Sequence, residues 1–430
     1  MAFIGTRLDL IIFLMFLSIV SNNIVFARNN TLNKSVSATI VKEGIPPFYY
    51  MNINGEDYIM DLDSDFLWTR CDKWHVFHQP CPKQACSLAH SWPSRLCPLK
   101  KDQQERLCPC KVALVNPVPK TCHQTDLSYQ YYFFFNQTGH WPFKITSFKQ
   151  IYAACIPSEL RATQFYNRTG QFVGLSKAPL SIPSQFASQY QFSKKFAFVL
   201  PSVRYPHGII FFGGGPYYIV YYADKLHDVT IFFTYTQLLQ NSLSTTNGYY
   251  IGVQAISIGS SELHQIPIQA SSFDINYTTG LGGVRISTIV LYTTLRSDIF
   301  LAFRKTFLEA MEGKIPVRAV KQFDLCFNAS DLVLNPLGGY IGAPKVELSL
   351  ANGKNWTYFS NTMQTVYRDN INDTLACMAF IDGGKTMEEA MVIGAFQMEE
   401  IFVEFDLVKS QFGFTPNLFL LRKFNGSITG

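Results

Sequence analysis

The feature that most constrains the fold is an approximate internal duplication with an offset of about half the chain. In the first half, the stretch DLDSDFLW, which begins at Asp61, is followed by an apolar-apolar-glycine element, FVGL, that contains Gly174. In the second half, ISTIVLYTTL around Ser287 is followed by MVIGAF, which contains Gly394. The two offsets are 226 and 220 residues. Nearly equal offsets are typical of two copies of one structural unit.

Most of the sequence after the N-terminal region favours β structure. Short segments rich in Val, Ile, Phe, Tyr and Thr alternate with Gly, Pro, Asn and Ser, as in HGIIFFGGGPYYIVYY and NGYYIGVQAISIGS. Helical spacing occurs in LRSDIFLAFRKTFLEAMEG and, more briefly, in PLSIPSQFAS. We predict a mainly β protein with a few short helices. The polar, turn-rich TQLLQNSLSTTNG is the predicted boundary between an N-terminal lobe, 28–235, and a C-terminal lobe, 236–430.

The first 27 residues have the pattern of a secretory signal peptide. A cationic Arg7 precedes the apolar run IIFLMFLSIV, and a small residue, Ala27, ends the segment. The run is shorter than the roughly 20 apolar residues that span a bilayer, and the polar C-terminal sequence argues against a lipid anchor. We therefore expect residues 1–27 to be removed and the protein to be extracellular, in the apoplast or cell wall, without a membrane association.

The cysteines fit this secretory route. Eight occur before residue 156 and two near the end, so even numbers permit closed pairing within each lobe, with the connectivity left open. A zinc site that uses His75 and His78 is the alternative, but the spacings match no standard finger and an oxidising compartment favours disulfides. The predicted disulfide cysteines are Cys71, Cys81, Cys86, Cys97, Cys108, Cys110, Cys122, Cys155, Cys326 and Cys377.

Composition limits the classes of partner and ligand that can be expected. The chain has 430 residues, 47% of them apolar, which is enough for two lobes. Its formal charge of +5 is dispersed, so nucleic acid is not expected, although weak association with acidic cell-wall polysaccharide is. No motif predicts a metal or a cofactor. Nine Asn-x-Ser/Thr sequons predict glycosylation at Asn29, Asn33, Asn136, Asn167, Asn276, Asn328, Asn355, Asn372 and Asn425.

Together these motifs resemble a pepsin-type aspartic peptidase of the plant branch with a cysteine-rich first lobe. The chain is most similar to the group of basic 7S globulins, extracellular dermal glycoproteins and cereal xylanase inhibitors. The segments that carry this resemblance are FVGLSKAPLSIPSQFA, IIFFGGGPYY, YYIGVQAISIG, FDLCFNAS and MVIGAFQMEEIFVEFDL. The resemblance implies a bilobal, all-β fold whose lobes are related by a pseudo-twofold axis.

The same resemblance assigns the catalytic positions, and both loops depart from the catalytic pattern. An aspartic peptidase needs two carboxyl groups that share a proton. Asp61 occupies one position, but Ser287 occupies the other, and a serine hydroxyl does not replace a carboxylate. Leu62 stands in place of the bracing hydroxyl residue and Asp63 in place of the glycine. The second loop continues with Thr288, Ile289 and Val290, again without glycine.

No other acid is placed by the sequence to replace the missing partner. Asp63 shares a strand face with Asp61, and Asp298 lies in the predicted helix, but neither mirrors Asp61. Tyr129 and Tyr131, in the region expected to form a flap over the cleft, are interpreted as core or surface aromatics. Asp61 itself is interpreted as a carboxylate hydrogen-bonded within a structural loop, and Asp65 needs no special role.

We therefore predict a secreted, catalytically inactive homologue that binds a protein, in particular a cell-wall-degrading glycoside hydrolase of the xylanase or xyloglucanase/glucanase type. In xylanase-inhibiting members a His precedes the Gln of the last glycine motif, whereas here Phe396 precedes Gln397. Phe396 is interpreted either as an aromatic anchor or as partial core packing. Two alternatives remain: an aspartic endopeptidase with residual or altered activity, and a storage or signalling globulin that binds a peptide or polysaccharide.

Overall fold

The computed structural model describes most of the chain between residues 35 and 418. The described residues are 35–71, 77–78, 84–92, 94–99, 109–117, 120–132, 135–136, 144–145, 149–157, 160, 170–203, 205–220, 226–320, 322–335, 339–367 and 374–418. The predicted signal peptide and the cysteines Cys81 and Cys108 lie outside these ranges. So do five of the predicted glycosylation sites, namely Asn29, Asn33, Asn167, Asn372 and Asn425.

The described chain is mainly β, as predicted. The strands before residue 240 are β1 (Ser35–Glu43), β2 (Phe48–Ile53), β3 (Glu56–Asp61), β4 (Leu67–Thr69), β5 (Phe77–His78), β6 (Lys111–Val115), β7 (Cys122–Tyr132), β8 (Phe135–Asn136), β9 (Lys144–Ile145), β10 (Lys149–Cys155), β11 (Phe172–Gly174), β12 (Lys195–Val199), β13 (His207–Gly213), β14 (Tyr218–Val220), β15 (Leu226–Asp228) and β16 (Thr234–Leu239).

The second half continues the same pattern of short strands. They are β17 (Tyr249–Ile251), β18 (Val253–Gly259), β19 (His264–Gln265), β20 (Val284–Ile286), β21 (Thr293–Leu295), β22 (Cys326–Asn328), β23 (Val333–Leu334), β24 (Tyr340–Ile341), β25 (Lys345–Leu350), β26 (Asn355–Tyr358), β27 (Met363–Tyr367), β28 (Thr374–Met378), β29 (Phe380–Asp382), β30 (Met391–Ile393), β31 (Phe402–Asp406) and β32 (Gln411–Phe414).

Helices are short and few in the described residues. The α-helices are Gln84–His90, Ile182–Tyr190, Ser297–Ala310 and Ala395–Met398, and the 3₁₀ helices are Thr230–Phe232, Ala270–Phe273 and Ala329–Asp331. The two helices predicted from periodicity are present: Ile182–Tyr190 has a proline in its first turn, and Ser297–Ala310 buries Phe300, Phe303 and Phe307. None of these helices is both long and apolar enough to cross a membrane.

A continuous sheet joins the two halves of the chain. Strand β12 pairs antiparallel with β31, so that Lys195 lies opposite Asp406. Strand β32 then pairs with β16, with Phe414 opposite Thr234. The predicted boundary segment is thus a strand over Thr234–Leu239, because this segment completes the sheet that the C-terminal strands build against the first half. The polar, turn-rich part begins only after it, at residue 240.

Buried aromatic rings fill the space behind this shared sheet. The rings of Phe196 and Phe405 stack with centroids 4.8 Å apart, and Phe405 also meets Tyr249 at 4.5 Å. All three side chains have no exposed surface. Rings at such distances add to the stabilisation from burial alone. The two halves therefore share one hydrophobic core, which fixes the positions of the loops that protrude from it.

Eight of the predicted disulfide cysteines form four disulfides within the described residues. They join Cys71 to Cys155, Cys86 to Cys110, Cys97 to Cys122 and Cys326 to Cys377, so each bond stays within one half. The predicted alternative of zinc at Cys71 is excluded because that sulfur is bonded to Cys155. His90 lies beside the Cys86–Cys110 pair, but those sulfurs are likewise bonded to each other and are not available as thiolate ligands.

Candidate functional site

The two duplicated motifs form matching loops at the middle of the molecule. Strand β3 ends at Asp61, which lies opposite Gly174 in a parallel pairing with β11. Strand β20 pairs in parallel with β30, and Ile286 lies opposite Ile393, so that Ser287 follows at the place where Asp61 stands in the first half. The separation of 226 residues between Asp61 and Ser287 therefore connects equivalent positions in two equivalent strand pairs. Asp61 and Ser287 occupy equivalent positions.

Both motif glycines are required by close contact with the loop above them. A Cβ atom on Gly174 would lie 2.4 Å from the carbonyl oxygen of Phe66, and one on Gly394 would lie 2.5 Å from the carbonyl carbon of Tyr292. Phe66 follows Asp61 by five residues and Tyr292 follows Ser287 by the same number. Because backbone cannot yield at such distances, only glycine fits at either crossing. This is independent structural evidence that the two loops are copies.

Asp61 and Ser287 are both buried and both accept hydrogen bonds from their own loops. Oδ1 of Asp61 accepts from the backbone N–H of Asp63 at 2.9 Å. Oγ of Ser287 accepts from the N–H groups of Ile289 and Val290, each at 3.2 Å. Asp61 is 2% exposed and Ser287 1%. The serine thus takes over the local role of a loop carboxylate without providing its charge.

The residues that follow these two positions differ in chemistry. Leu62 is completely buried in the apolar core. Its counterpart Thr288, 2% exposed, donates from Oγ1 to the carbonyl oxygen of Met60 at 2.6 Å. That hydrogen bond connects the second loop to the strand of the first. Because Leu62 has no hydroxyl group, it cannot supply the reciprocal bond to the second loop.

Asp63, at the place expected for glycine, forms a buried ion pair with the other half. Nη1 of Arg285 bonds to Oδ2 of Asp63, and Nε of Arg285 lies 2.5 Å from Oε1 of Glu389. The arginine side chain is 7% exposed and that of Glu389 8%. One guanidinium thus holds two carboxylates across the junction of the halves, a geometry that arginine favours over lysine.

The extra side chain of Asp63 is accommodated because its neighbour is a glycine. Oδ1 of Asp63 has no hydrogen-bond partner among the described residues. A Cβ atom on Gly248 would lie 2.2 Å from that oxygen and 2.9 Å from Cδ of Arg285. Gly248 therefore provides the space that Asp63 occupies, and the two positions depend on each other.

Asp65 forms a second connection between the halves. Its carboxylate accepts from Oγ of Ser176 at 2.7 Å, and Nδ2 of Asn247 donates to both carboxylate oxygens at 2.9 and 2.8 Å. Three of the four oxygens of Asp63 and Asp65 are thus occupied by structural partners. Contrary to the sequence interpretation, Asp65 has a defined role, because it ties the first loop to residue 247 of the second half.

Burial controls the protonation of these acids. Burial and, to a smaller extent, the nearby Asp63 carboxylate together raise the pKa of the Asp61 carboxyl to about 8. Burial also raises the pKa of Asp65 to about 6, against the hydrogen bonds from Ser176 and Asn247. Burial lowers the pKa of Arg285, but Asp63 and Glu389 outweigh this and raise it. At acidic and neutral pH, Asp61 is therefore a neutral carboxylic acid, while Arg285 remains charged.

The loops line a cavity of about 260 Å³ at the junction of the halves. Its other walls are residues 245–247 and the β6–β7 hairpin, through Leu114, Pro117 and Lys120. The hairpin that lines the cavity is thus the one between β6 and β7, and its described turn residues, 116–117 and 120–121, lie earlier in the chain than the predicted flap. Tyr131 is a surface aromatic, 53% exposed, and both it and Tyr129 lie on β7 away from the cavity.

The remaining candidates from the sequence lie apart from this cavity. Asp298 sits in the first turn of its helix, where Arg296 donates to both of its oxygens at 2.7 and 2.9 Å. Its side chain is 54% exposed. Since Asp63 is paired with Arg285 and Asp298 is remote, neither acid replaces the missing partner of Asp61.

Phe396 and Gln397 are both buried, which favours the core-packing interpretation of Phe396 over the aromatic anchor and does not favour partner contact through either side chain. Phe396 is 8% exposed and packs against Tyr292 at 5.4 Å between centroids, with Nζ of Lys42 5.9 Å from its ring. Gln397 has no exposed surface, and it bonds to Thr293, Asn361 and Ala379 at 2.8 to 2.9 Å. Both side chains stabilise the core, and neither presents a contact surface in this conformation.

The sequence interpretation missed three residues that shape the site: Arg285, Glu389 and Asn247. Arg285 stands inside an apolar strand, VRI, where a charged side chain is seldom buried unless it is paired. A single charge in an apolar strand could therefore have indicated that Arg285 is a buried, paired residue. Its partners were not predictable, because Asp63 lies 222 residues away in sequence and Glu389 lies 104 residues away.

Comparison with known proteins agrees with this geometry. The family models for the N-terminal and C-terminal parts of xylanase inhibitors match residues 49–214 and 248–416. The chain is 29% identical over 372 residues to gamma conglutin 1 of Prunus dulcis, covering 85% of this chain and 81% of that protein. It is 28% identical over 375 residues to the probable aspartic proteinase GIP2 of Nicotiana benthamiana, covering 84% and 82%.

A solved structure shows the same fold. The crystal structure of edgp superposes with a TM-score of 0.76 at 27% identity, covering 91% of this chain and 96% of that one. The paired loops and the shared sheet define a bilobal, pepsin-like protein. More specifically, the chain belongs to the plant pepsin-like group of xylanase inhibitors and basic 7S globulins.

Proposed function

We propose that this protein is secreted, does not hydrolyse peptides, and acts by binding another protein, namely a cell-wall-degrading glycoside hydrolase of the xylanase or xyloglucanase/glucanase type. The observation that carries the proposed lack of peptide hydrolysis is the occurrence of Asp61 and Ser287 at equivalent loop positions. The family match over both halves supports the proposed binding of another protein.

The proposed lack of peptidase activity is supported by the chemistry of the two loops. A shared-proton mechanism needs one carboxyl as acid and one carboxylate as base. Asp61 is neutral below about pH 8, so it supplies the acid only. Ser287 cannot act as the base. The nearest acids are occupied, because Asp63 bonds to Arg285 and Asp65 to Asn247 and Ser176.

Binding of a hydrolase is supported by the scaffold and by the family. Disulfides hold both halves, and a rigid β scaffold presents surface loops with little loss of conformational entropy on binding. Because Phe396 is buried, we propose that contact with a hydrolase is made by other surface residues. A xylanase is therefore only one of the target types to be tested, beside xyloglucanases and glucanases.

The inhibitor proposal is tested with a panel of secreted xylanases, xyloglucanases and glucanases. Increasing amounts of the purified protein are added to each enzyme, and hydrolysis of its polysaccharide is measured. We expect activity of at least one enzyme to fall until an equimolar amount has been added. Protein that has been reduced and unfolded serves as the control. If every enzyme in the panel keeps full activity, the inhibitor proposal fails.

Peptidase activity is the second candidate, since a relative carries the name probable aspartic proteinase. A denatured protein substrate is incubated with the chain at acidic pH, with and without a pepstatin-type inhibitor. We expect no inhibitor-sensitive cleavage. Cleavage that disappears in Asp61→Ala would show instead that the site is catalytic.

A storage or signalling role is the third candidate, favoured by the similarity to gamma conglutin 1. A pull-down from extracellular extract distinguishes it from the inhibitor role. Recovery of a glycoside hydrolase supports our proposal, whereas recovery of a peptide receptor or a glycan supports the third candidate.

Glycosylation also remains a prediction. The side chains of Asn276, Asn328 and Asn355 are exposed, as attachment of a glycan requires.

A further inference from the structure

The cavity between the two loops is large enough for one compact ligand. Its volume is about 260 Å³, and an apolar cavity of about 150 Å³ in another protein holds a benzene ring. A hexapeptide in an extended conformation spans about 20 Å, so only part of it would lie within this volume. The space therefore suits one six-membered ring with its substituents.

The walls of the cavity contain polar atoms whose bonding capacity is not used by the described residues. Oδ2 of Asp61 receives no hydrogen bond, and the hydroxyl hydrogen of Ser287 has no acceptor. Nη2 of Arg285 and Oδ1 of Asn247 are likewise without a partner in the described part of the chain. All four side chains line the cavity, and Asp61, Ser287 and Arg285 are each at least 94% buried. Each of these four groups can therefore bond to a ligand in the cavity.

The charges around these atoms balance. Arg285 is paired with Asp63 and Glu389, and the positive charge of Lys120 also favours the charged form of both carboxyls. Burial nevertheless raises the pKa of Asp63, whereas Arg285 outweighs burial and lowers the pKa of Glu389. At pH 5, below the pKa of about 6 of Asp65 and of about 8 of Asp61, these two acids are neutral, so the two paired carboxylates, Asp63 and Glu389, face two cations, Arg285 and Lys120. A charged ligand would leave an uncompensated charge in a buried site. The site therefore suits an uncharged ligand that both donates and accepts hydrogen bonds.

We propose that this cavity binds one ring of a neutral saccharide. Each sugar hydroxyl donates and accepts one or more hydrogen bonds, which matches the mixture of open donors and acceptors on Asp61, Ser287, Arg285 and Asn247. Apolar side chains complete the wall, including Leu114, Ile289 and Val290, and they suit the C–H face of a sugar ring.

The hairpin beside the cavity is held by a disulfide at each end. Cys110, directly before β6, is bonded to Cys86, and Cys122, at the start of β7, is bonded to Cys97. These bonds stabilise the part of the cavity wall that Leu114, Pro117 and Lys120 form.

The test is calorimetric titration of the purified protein at pH 5 with cellobiose, xylobiose and diacetylchitobiose. We expect saturable binding of at least one disaccharide with one site per chain and a dissociation constant below about 10 mM. Ser287→Leu and Ile289→Trp fill the cavity, and each should weaken binding by about tenfold or more. The matched control is Ile231→Trp, because Ile231 is 76% exposed and does not line the cavity.

Two outcomes overturn the proposal. One is that no disaccharide binds saturably up to about 10 mM; the other is that binding is unchanged in both cavity-filling variants while their unfolding transitions remain cooperative. A neutral hexapeptide is titrated in parallel, and its binding at the same site in place of the sugars would show a peptide site instead. Since no hydrolase is present in these titrations, their result is independent of the inhibitor proposal.

Discussion

The first loop, Asp61 to Ser64, and the second loop, Ser287 to Val290, have the same backbone frame but different chemistry. Each follows a strand of equivalent register, crosses over a glycine that must be glycine, and folds its first side chain back onto its own N–H groups. The backbone conformation of the loop therefore does not depend on a carboxylate at its first position. Loss of the second carboxylate changed what the site can do without changing how it is built.

The difference lies in how each loop contacts the opposite half. Among the described residues, the second loop donates one hydrogen bond to the first half, from Thr288 to the backbone of Met60, and Ile289 packs against an apolar cluster of the first half. The first loop contributes Asp63, which is paired with Arg285, and Asp65, directly after this loop, accepts hydrogen bonds from Asn247. A glycine at position 63 would leave Arg285 with Glu389 alone. We infer that the acids of MDLDSDFLW now hold the halves together, and the predictions below test this unequal division.

The largest effect is expected from removing the shared cation. Arg285→Met leaves Asp63 and Glu389 buried without a counter-charge, and the free energy of unfolding should fall by about 3–5 kcal/mol. Urea unfolding measures this. The triple variant Arg285→Met, Asp63→Asn, Glu389→Gln should regain most of the loss because no charge is left unpaired. Arg296→Met, at an exposed pair with Asp298, is the control and should cost less than about 1 kcal/mol.

A loss below about 1 kcal/mol in Arg285→Met would contradict this prediction. It would mean that water reaches Asp63 and Glu389 and solvates them. The charges at the junction would then contribute little, and the two loops would be equivalent in their effect on stability.

The second prediction concerns pH. Because burial raises the pKa of Asp61 to about 8, the folded protein holds a proton there that the unfolded chain releases near pH 4. Stability from this group is complete below about pH 4 and is lost as the pH rises toward 8, by roughly 1 kcal/mol per pH unit. Asp65, whose pKa is about 6, adds a loss of the same sign between about pH 4 and 6.

Thermal unfolding of the wild type and of Asp61→Asn between pH 4 and 8 measures the contribution of Asp61. The advantage of the variant should grow with pH, since an amide cannot ionise. Asp298→Asn is the comparison of opposite sign: Arg296 lowers the pKa of Asp298, so any stability from that group is present at neutral pH and lost on acidification. Parallel pH profiles for the wild type and Asp61→Asn would show that Asp61 ionises freely in the folded state.

The third prediction concerns the space that Asp63 requires. Gly248→Ala places a methyl group against Oδ1 of Asp63 and Cδ of Arg285, and it should destabilise the protein by about 1–3 kcal/mol. In an Asp63→Gly background the oxygen is absent, so the same alanine should cost less by at least about 0.5 kcal/mol. Urea unfolding of the four proteins in this cycle gives the coupling. Additive effects would show that the two positions do not depend on each other.

The sequence was sufficient to predict the two equivalent loops and their glycines, but not the side-chain contacts that connect the two halves. The repeated offset between an acid or serine and a later glycine follows directly from two strands that cross beneath two loops, so Asp61, Ser287, Gly174 and Gly394 could be placed in advance. The contacts of Asp63 with Arg285 and of Asp65 with Asn247 could not, because they join residues 222 and 182 positions apart with no repeated pattern. The burial of Phe396 was also hidden, since an aromatic residue after glycine suits a surface turn as well as a core.

The smallest effect is expected at the single hydrogen bond of the second loop. Thr288→Val removes the donor to the carbonyl oxygen of Met60 but keeps the shape of the side chain, and it should cost about 0.5–1.5 kcal/mol in urea unfolding. Thr288→Ser keeps the hydroxyl and should restore the bond, although the lost methyl group costs about 1 kcal/mol by itself. Only the valine variant should therefore accelerate hydrogen exchange at the backbone amides of both loops. If the serine variant accelerates exchange equally, the methyl packing of Thr288, rather than its hydrogen bond, holds the second loop against the first half.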